Sequence, residues 1–154
     1  LNRISQSKLG SKFFLERKFK TWITPHIKEF LRLFPDIKGE NNIGLALEAA
    51  KEFNISVLLK GANSIVADDE KVWQLCGTDS QTARAGLGDL LSGFLAGSSS
   101  IDLTFSRNIA TEFFAKYTLL HSYASSKCKT GSNAHDIGYE LSKLMRNKKM
   151  RQIS

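Results

Sequence analysis

Three short stretches of the 154-residue chain combine residue types that do chemistry. The first is Ala85-Gly86-Leu87-Gly88-Asp89, at the start of an apolar run. Glycines let a backbone turn tightly and come close to a ligand. The first N–H groups of a helix point outward without internal partners, and with the helix dipole they favour an anion. Asp89 has the wrong sign for holding phosphate. It suits a base that takes a proton from a hydroxyl attacking that phosphate. The plainer reading makes Asp89 a first-turn acid stabilising the dipole, with Gly93 and Gly97 easing helix packing; spacing alone leaves both open. No Gly-Lys-Ser/Thr follows, so this is not a Walker A loop.

The second stretch is Lys60-Gly61-Ala62-Asn63-Ser64, at the exit of an apolar strand. Ligands of open α/β sheets bind beyond the strand carboxyl ends. A lysine there reaches a phosphate and Gly61 admits close backbone approach; alternatively Lys60 snorkels to water and a plain turn follows. The third stretch is Thr24-Pro25-His26-Ile27-Lys28-Glu29, after another strand. His26 and Glu29 share one face of any helix starting here, which equally describes a helix start with a surface histidine and a capping glutamate. His121 and His135 have no acid or cysteine at useful spacing and read as structural. Asp136 reads as an N-cap.

The elements that position these stretches follow from periodicity. Residues 3–20 are basic, with Phe13, Phe14, Leu15 and Phe19, and allow a helix. Residues 21–24 are β-branched and aromatic, a strand stopped by Pro25. Phe30, Leu31, Leu33 and Phe34 make a short helical patch before Pro35. Asn41 or Asn42 caps a helix through Leu45, Ala46, Ala49, Ala50 and Phe53, closed by Asn54. Residues 55–60 read as a strand buried on both faces. Residues 64–67 and 72–75 form a hairpin about a turn at 68–71. Residues 76–85 lack a period. Leu87, Leu90, Leu91, Phe94 and Leu95 lie on one face of the next helix. Residues 104–127 predict a long helix carrying Ile109, Phe113, Tyr117, Leu120 and Ala124. Residues 135–147 predict the last, with Ile137, Leu141, Leu144 and Met145 inward, and the remainder reads as a frayed tail. The order suggests a layered α/β domain.

Composition bounds the partners. Hydrophobic residues make up 42% and charged residues 24%, ordinary globular values that exclude wholesale disorder. No apolar run approaches the ~20 residues that cross a bilayer, so no membrane partner is expected. Cys76 and Cys128 stand far apart, without a Cys-x-x-Cys or Cys/His cluster, so neither structural zinc nor a disulfide framework is expected and a cytoplasmic location is the default. The net charge of +7 concentrates near the two ends, as solvated faces usually do. Phe13, Phe14 and Phe19 interleave with basic residues, which keeps nucleic-acid binding as a weak alternative. The chain begins with Leu rather than Met and its expected sheet is thin, so a fragment is expected.

Taken in order, the three stretches resemble the ADP/ATP-dependent NAD(P)H-hydrate dehydratases of the ribokinase-like superfamily. That family's pattern runs Thr-Pro-His-Pro-Gly-Glu, Leu-Lys-Gly-Ala and Gly-x-Gly-Asp opening a helix. Here the matches are Thr24-Pro25-His26-Ile27-Lys28-Glu29, Leu59-Lys60-Gly61-Ala62 and Gly86-Leu87-Gly88-Asp89, with further likeness over residues 83–93 and in His121-Ser122-Tyr123-Ala124 and His135-Asp136. Ile27-Lys28 replaces Pro-Gly, and Leu87 stands where the family often has a small hydroxyl residue.

The resemblance implies a ribokinase-like three-layer α/β/α sandwich, of which this sequence looks like the C-terminal portion. Residues 1–20 would be a basic segment continuing an N-terminal half, 21–147 the C-terminal part of the dehydratase domain and 148–154 a basic tail. It implies that Asp89 activates the ring hydroxyl of NADHX or NADPHX to attack the terminal phosphate of ADP or ATP. His26 would touch the hydrated cofactor and Lys60, Gly61, Ala62, Asn63 and Ser64 would line the nucleotide site. Gly86 and Gly88 would present N–H groups to the transferring phosphoryl group. Mg2+ is expected with the nucleotide, no metal ligands are assigned, and a homo-oligomer is allowed. The alternatives are a ribokinase-like small-molecule kinase and an inactive nucleotide-binding half-domain.

Overall fold

A computed structural model describes residues 1–76, 86–105, 111–129 and 131–146, with residues 101–105 described as backbone alone. The chain divides into two compact units, Leu1–Gly77 and Thr78–Ser154. The expected unpatterned stretch at 77–85, Ile109 and the expected tail from residue 147 lie outside the described residues.

The first unit is a four-stranded sheet with helices. Its strands are β1 (Thr21–Ile23), β2 (Ile55–Leu59), β3 (Ser64–Ala67) and β4 (Val72–Leu75), adjacent in that order. β1 runs parallel to β2, with Ile23 opposite Val57, and the other two pairings are antiparallel. A parallel pair needs a long crossover. Here it contains α2 (Ile27–Leu33) and α3 (Asn42–Phe53). Both ends of α3 follow from asparagines. Asn41 Oδ1 accepts the Gly44 N–H at 3.0 Å, and Asn54 takes the left-handed conformation at φ 50°, which Asn tolerates better than most residues. The chain therefore reverses within one residue and enters β2, all five of whose residues are buried. Asp68 shapes the hairpin by accepting the Glu70 and Lys71 N–H groups at 2.9 and 2.7 Å.

The core of this unit forms around phenylalanines. Phe34 lies between Phe14, Phe30 and Phe53, with ring centroids 5.9, 5.0 and 4.9 Å away. Alanines 46, 49 and 50 are fully buried, so α3 can sit close on β2 and β3. The basic N-terminal stretch is not one helix: it forms α1 (Asn2–Ser5) and a 3₁₀ turn at Gly10–Phe14. Phe14 is buried in the core with Phe13 packed against it, and of the three aromatics near this end Phe19 is the exposed one. Leu31 is exposed as well, because it lies on the outer side of α2.

The second unit contains α4 (Leu87–Phe105), α5 (Thr111–Lys127) and α6 (Ala134–Arg146), each packed on the other two. The expected helix at 104–127 is corrected at its start, since residues 104–105 end α4. Ala124, Ile137 and Leu141 form its core, with Leu87, Leu90, Phe94, Leu120 and Leu144 packed on them. Phe94 meets Tyr117 edge-on at 5.7 Å. Met145 is exposed at 37%, not inward as expected. Asp136 is not the N-cap either. Asn133 is, accepting the His135 and Asp136 N–H groups, while Asp136 reaches back to the Asn133 N–H at 2.8 Å.

α5 differs most from its pattern. Its fully buried stripe includes Phe114, Thr118, His121 and Ser125, whereas Phe113, Tyr117 and Leu120 are half-buried. Thr118 satisfies itself on the Phe114 carbonyl at 2.8 Å. His121 Nε2 and Ser125 Oγ are buried without a hydrogen-bond partner among the described residues. Burial pushes the pKa of His121 down from its ordinary value, so the ring stays neutral where an exposed histidine begins to charge.

Two outcomes follow. Phe34→Ala removes the ring shared by three neighbours and should cost about 3–5 kcal/mol in denaturant unfolding. For His121, the unfolded chain takes up a proton below about pH 6.5 before the folded one does, so this residue should lower stability as pH falls through that value. Melting temperatures of His121→Gln should show a shallower slope between about pH 7 and pH 5; an unchanged slope would remove His121 as a source.

Candidate functional site

The parallel pairing of β1 and β2 does not end with the strands. After a break at Thr24-Pro25, His26 and Lys60 form a further parallel bridge, in the same register as Ile23 and Val57. The Lys60 N–H donates to the Pro25 carbonyl at 2.8 Å. Proline has no N–H to give, but its carbonyl serves the ladder. Two of the three stretches singled out in the sequence thus lie side by side at the carboxyl ends of two parallel strands, where open α/β sheets bind ligands.

His26 is the N-cap of α2. Its Nδ1 accepts the Glu29 N–H at 3.2 Å, and Glu29 Oε2 accepts the His26 N–H at 2.9 Å. Both readings of this pair therefore coexist: it is a capping box, and the imidazole is still half exposed. An Nδ1 that accepts keeps the proton of the neutral ring on Nε2, so that nitrogen is an N–H donor. Glu29 Oε2 lies 3.5 Å from that nitrogen.

The turn after Lys60 is closed by Ser64, whose hydroxyl donates to the Gly61 carbonyl at 3.2 Å and accepts the Gly61 N–H at 3.4 Å. Gly61, Ala62 and Asn63 form one wall of a cleft of about 590 Å³. Asn41, Asn42 and Ile43, at the start of α3, form another, and the paired Ile65 and Gln74 contribute from the sheet. The sequence reading missed Asn41 and Asn42 as lining, because they register as helix caps, and Gln74, because one polar residue in a hairpin strand carries no signal. Gly39 was missed too. A methyl there would lie 2.6 Å from the Leu45 nitrogen, so glycine lets the α2–α3 link run against the first turn of α3 that lines the cleft. A methyl on Gly61, by contrast, would meet nothing nearer than 3.8 Å.

The third stretch belongs to the second unit. Gly86 has φ +82°, which costs a side-chain-bearing residue strain, and its carbonyl accepts the Leu90 N–H at 3.0 Å as α4 begins. Asp89 lies in the first turn and is exposed; Gly88 is half-buried, and its carbonyl accepts the Ser92 hydroxyl at 2.8 Å. Gly86, Gly88 and Asp89 thus occupy the opening turn of a helix, the arrangement their spacing predicts. Among the described residues no three His, Cys, Asp or Glu side chains gather as a metal cage, and no helix is long and apolar enough to cross a membrane.

A family model described as NAD(P)H-hydrate dehydratase matches residues 1–148. The bifunctional NAD(P)H-hydrate repair enzyme Nnr of Corynebacterium glutamicum is 33% identical over 135 residues, covering 82% of this chain and 23% of that protein. The ADP-dependent (S)-NAD(P)H-hydrate dehydratase of Nitrosopumilus maritimus is 40% identical over 78 residues, 49% of this chain and 27% of its own length. Among solved structures, a ribokinase-like superfamily protein of Enterococcus faecalis superimposes with a TM-score of 0.71 at 21% identity, over 90% of this chain and 49% of that one. The ADP/ATP-dependent NAD(P)H-hydrate dehydratase of Bacillus subtilis, co-crystallised with ATP/Mg2+, gives 0.66 at 20% identity, over 83% and 48%. The chain thus spans about a quarter of these curated relatives and about half of these solved ones. The likeness to solved structures is one of fold, ribokinase-like α/β, and with the match along nearly all of its length the chain belongs to the NAD(P)H-hydrate dehydratase family.

Proposed function

We propose that this chain serves the ADP- or ATP-consuming dehydration of NADHX and NADPHX back to NADH and NADPH. The observation that carries the proposal is the His26–Lys60 bridge, which joins a hydrogen-bond donor and a cation at the carboxyl ends of two parallel strands. In this reading His26 Nε2–H donates to the hydrated cofactor. Lys60 and the 61–64 turn hold the nucleotide, and the opening N–H groups of α4 around Gly86 and Gly88 stabilise charge on the transferring phosphoryl group.

Asp89 takes the proton of the ring hydroxyl as its oxygen attacks the terminal phosphorus. The bond to the bridging oxygen breaks and the nucleotide leaves one phosphate shorter; phosphate then departs from the ring carbon, and loss of a proton from the adjacent ring carbon restores the dihydropyridine ring. Exposure of Asp89 keeps its carboxylate accessible to a substrate. Mg2+ supplies charge neutralisation when it is bound. It keeps several waters and is usually held by one or two carboxylates together with substrate phosphates, so the lack of a ready-made cage among the described residues is compatible with metal arriving on the nucleotide. A second reading, nucleotide binding without turnover, asks only for Lys60 and the 61–64 turn, which lie together in the first unit.

Mixing the chain with NADHX and either ADP or ATP should restore the near-ultraviolet absorbance of NADH. Nucleotide binding without recovery would establish the second reading. Asp89→Asn should lower turnover by about 10²–10⁴-fold while nucleotide affinity stays near wild type; equal turnover would end its role as base. Gly61→Ala gives a sharper test of the turn. Glycine is not required there by sterics or by a left-handed φ, so melting should hold or rise by up to ~1 kcal/mol of stability. ADP affinity should nevertheless drop about tenfold or more if a ligand needs the space of a methyl. Unchanged affinity would place the nucleotide away from this turn.

A further inference from the structure

We propose that Lys28 is a second contact for the hydrated cofactor, its ammonium pairing with the diphosphate while His26 holds the ring. This rests on the reading of His26 as a donor to that cofactor.

Ile27 and Lys28 stand where the family pattern has Pro-Gly, and the structure separates the two. They are the first two positions of α2. Ile27 packs against the aromatic core, to which Phe30 and Leu33 of the same helix also belong. Lys28 is exposed. Every Cα–Cβ bond of a helix tilts toward the N-terminus. That end of α2 is capped by His26, which is bridged to Lys60 where β1 and β2 end. The stem of Lys28 therefore sets out toward the carboxyl ends of the strands.

Local structure gains nothing from this charge. A cation in the first turn opposes the helix dipole. Arg32 follows at i+4, the spacing at which like charges repel. The neighbouring acid is engaged elsewhere: Glu29 accepts the His26 N–H at 2.9 Å and lies 3.5 Å from His26 Nε2. Lys28 has no hydrogen bond or ion pair among the described residues, and the ammonium of Lys60 has none either. Two unpaired cations thus accompany one imidazole donor.

The charges of the two substrates fit this pair. The hydrated ring is neutral and offers oxygen acceptors to His26 Nε2–H. Through its ribose it carries a diphosphate, the anion nearest the ring, whereas the extra phosphate of NADPHX lies on the far ribose. Lysine meets such an oxygen as a point charge on a flexible stem. Lys60 answers the phosphates of the nucleotide in the same reading, so the two lysines divide the anions of the two substrates.

Titration calorimetry of the full chain with NADHX, NADPHX and ADP, each alone, tests the division. Lys28→Gln should weaken NADHX and NADPHX alike by about tenfold and leave ADP near wild type. Lys28→Arg should keep most of the affinity. Lys28→Glu should weaken both cofactors further while its melting temperature holds or rises, since an acid suits the first turn and pairs with Arg32. Weaker binding with an intact or firmer fold separates a ligand contact from a structural role. Wild-type affinity for both hydrated cofactors in Lys28→Gln would overturn the proposal and leave the role of His26 standing. Loss for NADPHX alone would overturn the diphosphate pairing in favour of the extra phosphate, and loss for ADP alone would move Lys28 to the nucleotide. No binding of either hydrated cofactor by the wild type would overturn the reading of His26 as well.

Discussion

The pairing of β1 with β2 is the constraint from which the candidate site is built. A single main-chain bond, the Lys60 N–H to the Pro25 carbonyl at 2.8 Å, continues that pairing past the end of both strands. It fixes His26 and Lys60 as neighbours, although 33 residues separate them in sequence. Parallel strands of this kind need a crossover, and the crossover here also supplies parts of the candidate site. Its first helix is capped by the same histidine, and its second opens onto the cleft beside the 61–63 turn.

The aromatic core makes that pairing affordable. Phe34 sits where the middle of α2, the end of the 3₁₀ turn and the end of α3 converge, and touches a ring from each. Small residues at 46, 49 and 50 bring α3 down on the sheet. Gly39 then becomes necessary, because the chain arriving from α2 runs against the α3 backbone closely enough to exclude a methyl. The position of Asn41 and its neighbours at the cleft is thus a consequence of helix-on-sheet packing.

Two kinds of glycine can be separated on this basis. Gly39 and Gly86 are required by the fold, one for a contact and one for a left-handed φ. Gly61 is required by neither, since a methyl there would meet nothing nearer than 3.8 Å. The buried polar stripe of α5 is a different matter. Burial pushes the pKa of its histidine down, and the helix carries His121 Nε2 and Ser125 Oγ inward without a hydrogen-bond partner among the described residues.

Much of this was legible in the amino-acid order. Asn41 and Asn54 mark the two ends of α3, the apolar run at 55–59 marks a fully buried strand, and Gly86 with Asp89 marks a helix start; each is a local preference of backbone and side chain that needs no distant partner. The offset in α5 was not legible. Phe113, Phe114, Tyr117, Thr118, Leu120 and His121 allow two neighbouring stripes, and which one turns inward depends on what packs against it. Nor could the order show that His26 lies beside Lys60, or that Gln74 shares a cleft with Asn41. Those neighbours come from strand register and crossover length, which the core decides collectively. Residue types and spacings therefore determined which chemistry was available and where helices begin; tertiary packing alone decided which of those groups meet, because proximity between remote residues is set by the burial of side chains that take no part in the chemistry.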